Sequence, residues 1–302
     1  MLIKYNMLSK MSSLSNLKIY IQSNPQQELA AKVSSYSFSK YGFKNIEILK
    51  LHEVNSLKDK FGKKYLRSGS MVKYDPDDLQ SFTLLRFMPP KIYNDFCLII
   101  DPDVFLVRDP TYELSKCINN NKFKMFCTNK DGKIKSEVCF INCKEFNLWD
   151  FDELIEEMFL GKVDYQDIMN FNFLGVNKIG NLNENFNVWD NLNNSTIFLH
   201  TTNRITQPWK QGLKVDFKIN TSKYNYLKNF LRKVLGLKYN KKLFQNRYIK
   251  HPNLEVNNFI KEIFKEAIDN NYLNIDEIKY SIKNNHVSKI FIENLRLKKF
   301  DD

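Results

Sequence analysis

The apolar run Phe96-Cys97-Leu98-Ile99-Ile100 ends abruptly in Asp101-Pro102-Asp103. An unbroken run of this length reads as a central strand buried on both faces. Open α/β sheets bind ligands beyond the carboxyl ends of such strands. Pro102 fixes its own φ and holds Asp101 extended, so the turn can aim both carboxylates at one hard divalent cation. Mg²⁺ and Mn²⁺ prefer oxygen ligands of this kind and often share them with a diphosphate. The pattern is short and common, and an acidic turn after a strand is the plain alternative.

Other groups in the chain have chemistry that would complement such an ion. Arg86 lies fifteen residues upstream, able to reach a phosphate or a ribose; a surface salt bridge is its ordinary alternative. His200 closes a short apolar segment and opens a polar loop containing Arg204, Gln207-Pro208-Trp209, Lys210 and Gly212. A histidine at a strand end is a candidate third metal ligand, and Arg204 and Lys210 would add positive charge beside a diphosphate. Tyr165-Gln166-Asp167, with Asn170, offers polar groups able to hydrogen-bond a sugar, or simply a helix N-terminus.

Holding these groups together requires strand ends that converge. Residues 18–22 alternate and read as a first strand, 26–41 as a helix ended near Gly42, and 45–49 as a second strand. That βαβ unit implies a parallel sheet covered by helices. Residues 57–80 read as a long polar loop, 81–88 as a helix stopped by Pro89-Pro90, and 104–107, 124–127, 138–142 and 197–199 as further strands. Residues 150–160 read as a helix and 254–299 as two helices. The expected division is an N-terminal extension (1–17), a nucleotide-binding α/β domain (18–217) and a basic, mostly helical C-terminal region (218–302).

Composition narrows the class. Of 302 residues, 43% are hydrophobic and 26% charged, with only 9 Gly and 8 Pro, which excludes disordered and collagen-like chains. No apolar run nears the roughly 20 residues of a membrane span, and residues 1–16 lack the apolar core of a secretory signal. Five cysteines without CxxC spacing read as reduced thiols in a cytoplasmic protein. The scattered His52, His200, His251 and His286 argue against a zinc site. A net charge of +12 points to an anionic partner or to a lysine-rich solvated surface. Residues 221–250 hold nine Lys/Arg and no Asp/Glu.

In this order and spacing, the pieces between residues 18 and 217 resemble the family 8-like nucleotide-sugar glycosyltransferases of the GT-A fold, the group that includes glycogenins and bacterial lipopolysaccharide galactosyltransferases. The resemblance rests on the first strand and turn, Arg86, the hydrophobic-DxD, the strand at Val138 to Asn142, the DQD-like segment at Tyr165 to Asn170, and His200 with its Pro-Trp loop. It implies a Rossmann-like, mostly parallel central sheet flanked by helices. It also implies metal-dependent, retaining transfer of a hexose from a UDP-sugar to a glycan, lipid or protein acceptor. By the same resemblance Asp101, Asp103 and His200 hold Mn²⁺ (or Mg²⁺), and Gln22, Ser23 and Asn24 contact base and ribose. Arg86 touches the donor, Gln166 sits beside the anomeric carbon, and Asp167 is the second acid. Tyr165 stands where the family has the first Asp of DQD, and Lys135-Ser136-Glu137 replaces its small segment before Val138. The Lys-Pro-Trp of the family is here Gln207-Pro208-Trp209-Lys210, with Lys210 standing in for the usual lysine.

Two other readings fit parts of the chain. The hydrophobic-DxD also opens the haloacid-dehalogenase phosphatase motif, with Asp101 as nucleophile. That motif normally lies near the N-terminus and continues to a small Gly-Thr pair, whereas Val104-Phe105 follow here. A non-catalytic basic protein would use residues 221–250 on nucleic acid or an anionic membrane. The expectation is no nucleic-acid partner, a weak anionic-membrane contact through 221–250, and a cytoplasmic protein peripheral to the membrane.

Overall fold

The computed structural model describes residues 14, 17–120, 122–174, 178–217, 223–238 and 244–295. Its strands are β1 (Lys18–Ser23), β2 (Ile46–Lys50), β3 (Lys64–Arg67), β4 (Ser70–Lys73), β5 (Phe96–Ile100), β6 (Val104–Leu106), β7 (Met125–Lys130), β8 (Lys133–Asn142), β9 (Gly180–Leu182), β10 (Val188–Trp189) and β11 (Phe198–His200). The helices longer than one turn are α1 (Glu28–Ser39), α2 (Thr111–Ile118), α3 (Phe151–Phe159), α4 (Tyr165–Met169), α5 (Lys223–Val234), α6 (Leu254–Asp269), α7 (Ile275–Lys283) and α8 (Lys289–Glu293). Six strands form one sheet in the order β2-β1-β5-β8-β7-β9. β1 runs parallel to β2 and β5, and β7 parallel to β9, while β8 is antiparallel to both neighbours. The result is a mixed α/β fold whose central sheet is mostly parallel.

β5 lies between β1 and β8, which is why its sequence is apolar without alternation. Successive side chains of a strand point to opposite faces. Cys97 and Ile99 accordingly enter one apolar layer with Phe87, Met158 and Ile168, whereas Leu98 and Ile100 enter the other with Phe38, Phe140 and Phe198. Helix α1 is buried on two sides. Ala31 and Phe38 face the sheet, while Leu29, Ala30, Val33 and Tyr36 pack with Val256, Ile260, Ile263 and Phe264 of α6. The C-terminal helices therefore add a third layer over α1, and Trp209 stacks on Phe264 with ring centroids 5.8 Å apart.

Several expectations are corrected. The stretch 57–80 is not a plain loop, because it contains the antiparallel hairpin β3–β4. Its two-residue turn is Ser68-Gly69, with φ of 53° and 73°, the left-handed pair that matches the twist of two tightly linked strands. The helix expected over 81–88 is present as a 3₁₀ helix, Ser81–Phe87, and all seven of its residues are buried. The C-terminal pair of helices is three, since α7 ends at Lys283 and Ser288 caps a separate α8. The second apolar run, β6, joins a separate sheet, antiparallel to β11, which is parallel to β10.

The hairpin is tied to the rest of the protein by one carboxylate. Asp164 accepts hydrogen bonds from Ser68 N (3.0 Å) and Gly69 N (2.8 Å), and its Oδ1 also caps α4 through Gln166 N (2.7 Å). Burial works against the charge of Asp164, but these three backbone donors and Arg67 outweigh it and lower the pKa. A carboxylate with a depressed folded pKa contributes stability above its unfolded value, and that stability disappears as pH falls through the folded one. The denaturation midpoint of the wild type should therefore fall on acidification below about pH 4. Asp164→Asn should start lower and show a flatter acid limb, measured by chemical denaturation between neutral pH and the acid range.

Candidate metal centre

Asp101-Pro102-Asp103 hands the chain from one sheet to the other. Ile100 is the last residue of β5, paired with Val138 of β8, and Asp101 N continues that ladder by donating to Glu137 O (3.1 Å). Three residues later Val104 opens β6, opposite His200 of β11. Thr201 N donates to Asp103 O (3.1 Å), which closes the second ladder. The two carboxylates and the imidazole thus meet at the seam between the sheets. One ligand atom from each of Asp101, Asp103 and His200 lies within 4.8 Å of the others, and the cluster is able to hold a divalent metal ion.

Each ligand is oriented from behind. Asp101 Oδ1 accepts from Arg86 (2.7 Å) and from the Gln22 amide. Asp103 Oδ2 accepts from Gln207 Nε2 (3.1 Å). His200 Nδ1 donates to Asn187 Oδ1 (2.8 Å), an atom that can only accept, and this turns Nε2 toward Asp103 (3.3 Å). The same Asn187 passes its amide to Glu137 Oε2 (3.2 Å), a third carboxylate beside the pair. Fixing one imidazole nitrogen so that the other faces the ion is the usual partner arrangement of a metal-bound histidine. The donor set also fits Mn²⁺ or Mg²⁺: hard carboxylate oxygens, one imidazole, and the buried Oε1 atoms of Gln22 and Gln207, which have no hydrogen-bond partner.

Electrostatics at the seam are those of a place built for more positive charge. Burial raises the pKa of Asp101 to about 6, with Asp103 and Glu137 adding to it and Arg86 and His200 opposing. Burial would lower His200, yet the carboxylates of Asp103, Glu137 and Asp101 prevail and raise it to about 9.

Two clefts open at this point and share Leu79, Gln80, Thr202 and Arg204. The smaller, about 190 Å³, is lined by Asp101, Asp103, Glu137, His200 and Gln207. The larger, about 960 Å³, runs between the β3–β4 hairpin and the loop after β11, past Tyr65, Tyr74, Tyr165 and Phe217. Arg204 lines both, with its guanidinium 5.7 Å from the Phe217 ring centroid and no ion pair among the described residues. Arg204 is therefore the cation available to a ligand that spans the two.

The remaining sequence candidates are placed as follows. Gln22, Ser23 and Asn24 are buried at the end of β1; Gln22 reaches Asp101, while Asn24 donates to Asp78 O and Ser81 Oγ, both at 3.0 Å. Arg86 is buried, held by Asp101, Ser136 and Met169. Lys210 is wholly buried against Asp216 (2.7 Å); burial lowers its pKa despite that partner. Gln166 is exposed on α4, and Asp167 accepts from Asn172 (2.9 Å); neither lines a cleft, whereas their neighbour Tyr165 lines the larger one. Glu137, Asn187 and Gln207 are site residues to which the sequence reading gives no role. Glu137 was findable, since it lies in β8 next to the residue that pairs with the end of β5; Asn187 has no local signal.

No protein-family model matches the chain, and no curated protein matches it. Among solved structures it is similar to the apo form of the glycosyltransferase GlyE of Streptococcus pneumoniae TIGR4, at 13% identity and a TM-score of 0.44, over 64% of this chain and 56% of that one. It is similar also to the galactosyltransferase LgtC in complex with donor and acceptor sugar analogues, at 15% identity and a TM-score of 0.43, over 64% and 89%. A third is mouse xyloside xylosyltransferase 1, at 10% identity and a TM-score of 0.42, over 63% and 98%. The chain spans little more than half the length of the GlyE chain.

Without metal, the folded protein holds protons on His200 and Asp101 that the unfolded chain releases more readily. Its stability should then decline as pH rises through the interval from about 6.5 to 9 where His200 discharges. A cation must displace these protons, so the rise in melting temperature given by Mn²⁺ should grow from pH 6 to 9. In His200→Ala the Mn²⁺ concentration at half effect should rise roughly tenfold or more, about 1.4 kcal/mol of binding. An unchanged Mn²⁺ titration in the folded variant would remove His200 from the ligand set.

Proposed function

We propose that this chain is a metal-dependent glycosyltransferase of the GT-A type that takes a UDP-sugar donor and transfers the sugar with retention to a glycan, lipid or protein acceptor. The observation that carries the reading is the seam between the two sheets. Two carboxylates and a histidine converge there, and Arg204 lines both adjoining clefts without an ion pair among the described residues.

Asp101, Asp103 and His200 would hold Mn²⁺ or Mg²⁺, which neutralises charge on a departing diphosphate. Everything else is work for the chain. Arg86 opposes the protonation of Asp101, and with Gln22 it holds that carboxylate correctly turned. Gln207 orients Asp103, and Asn187 orients His200. Arg204 faces the diphosphate, a role for which Lys210 is too deeply engaged with Asp216. The smaller cleft suits the diphosphate end of the donor, and the larger has volume for a nucleoside or a sugar acceptor. Preformed charge of this kind stabilises a leaving group without reorganisation. A phosphatase with Asp101 as nucleophile is disfavoured, because the DxD runs straight into the buried strand Val104-Phe105-Leu106 in place of a small Gly-Thr pair.

The test is a thermal-shift screen of nucleotide sugars with and without Mn²⁺, followed by a transfer or donor-hydrolysis assay. A UDP-sugar should raise the melting temperature only when Mn²⁺ is present. Asp103→Asn keeps the shape but removes the charge. It should abolish metal-dependent turnover while the metal-free melting temperature stays near that of the wild type. Full turnover in Asp103→Asn with the metal still required would take Asp103 out of the site.

A further inference from the structure

The strongest unexplained surface lies outside the seam, in the excursion between Lys214 and Arg247. These two residues form an antiparallel bridge, reinforced by Val215 N to Asn246 O (3.0 Å) and Tyr248 N to Leu213 O (2.9 Å). Between them lies α5. Leu227, Phe230, Leu231 and Val234 recur at the spacing of one helix face. They are 45–67% exposed, and Leu235 and Leu237 continue the patch at 69% and 55%. The helix ends in a left-handed Gly236 (φ 69°), with Leu237 N bonded to Arg232 O (2.8 Å); this is a Schellman cap, so the helix is a finished element. Lys228, Arg232, Lys233 and Lys238 flank the apolar face, and no acidic residue occurs between Asp216 and Glu255.

We infer that α5 docks the protein on an anionic lipid bilayer, its apolar face sunk to the acyl boundary and its cations at the headgroups. An exposed apolar stripe needs a partner of low polarity, and the flanking cations need a negative one. A bilayer rich in acidic lipid offers both over one helix. A second copy would bring like charges together, and a nucleic-acid backbone would leave the leucines unburied. No helix among the described residues is long and apolar enough to cross a membrane, so the contact is one that lies on the surface. The excursion starts at the rim of the larger cleft, which Asp216 and Phe217 line. The six Cα–Cα steps from Phe217 to Lys223 can span at most about 20 Å, which keeps the docking helix close to the cleft mouth.

The full chain is sedimented with vesicles of phosphatidylcholine, alone or mixed with phosphatidylglycerol, at low and high salt. Binding is expected to the mixed vesicles only, weakening as salt rises. Each cation removed near the surface should cost roughly fivefold in partition. Lys228→Glu/Arg232→Glu should therefore lose binding by about 25-fold or more. Leu227→Ser/Leu231→Ser should abolish it with the charge unchanged. Both variants lie outside the metal cluster, so their Mn²⁺-dependent thermal shift should equal that of the wild type. This separates failure of docking from failure of the transferase reading. The proposal is overturned if the wild type stays in solution with mixed vesicles at low salt, or if the leucine variant still sediments. Retention of a single-stranded oligonucleotide without vesicle binding, or a dimer lost in the leucine variant without vesicle binding, would likewise overturn it.

Discussion

The Arg86 guanidinium, buried between the 3₁₀ segment and the central sheet, is the charge on which the site depends. Asp101, Asp103 and Glu137 crowd the carboxyl end of β5 and its neighbour, and burial, with the two other carboxylates adding to it, holds the Asp101 carboxyl above the usual carboxylate range. Arg86 answers Asp101 directly at 2.7 Å and gathers Ser136 of β8 and Met169 of α4 around the same group. The segment Ser81–Phe87, the sheet edge and α4 therefore converge on one cation. Deleting one partner of such a pair, which strands the other charge in the interior, typically costs about 3–5 kcal/mol. The total burial of the 3₁₀ segment follows from the same requirement, since a half-exposed arginine would be screened by solvent.

The second sheet gives the metal cluster its third member. Had the chain turned back after Ile100 into the main sheet, Asp103 would not stand opposite the end of β11. Because β6 departs to pair with β11, one proline-containing turn presents carboxylates to two ladders at once. The loop beyond His200 is braced from the C-terminal layer. Asp190 accepts from Thr202 Oγ1 (2.6 Å) and Asn203 N (3.1 Å), and faces His251 Nε2 at 3.3 Å. Trp209 is pinned between Phe105 and Phe264. The C-terminal helices thus steady the strand end that carries the imidazole, although none of them touches the cluster.

What could be read from the chain was whatever depends on neighbours in sequence. The β1–α1–β2 unit, the central strand and the DxD at its end all declare themselves through local periodicity and a proline. His200 was legible because a histidine closing a strand and opening a polar loop is an unusual local pattern. The hairpin was missed because its strands are short and polar, with a turn made by Ser68-Gly69 rather than by Asn-Gly. Gln22 was read through resemblance as a nucleotide contact; its hydrogen bond to Asp101 joins residues 79 apart. Asn187, thirteen residues from His200, and the pairing of Lys210 with Asp216, six residues on, gave no signal either, because neither spacing falls on the repeat of a shared helix or strand.

The clasp at Lys214 and Arg247 makes α5 an insertion in the topological sense. Entry and exit lie side by side on an antiparallel bridge, and the start of the stretch still serves the body of the protein, since Asp216 holds the buried Lys210 and Phe217 lines the larger cleft. The entropic cost of closing such a loop grows slowly with length, about 0.6 kcal/mol for each doubling. Shortening, lengthening or exchanging α5 would therefore leave the sheets and the seam in place, provided Asp216 and Phe217 stay. A surface element of this kind can change without retuning the chemistry of the cleft.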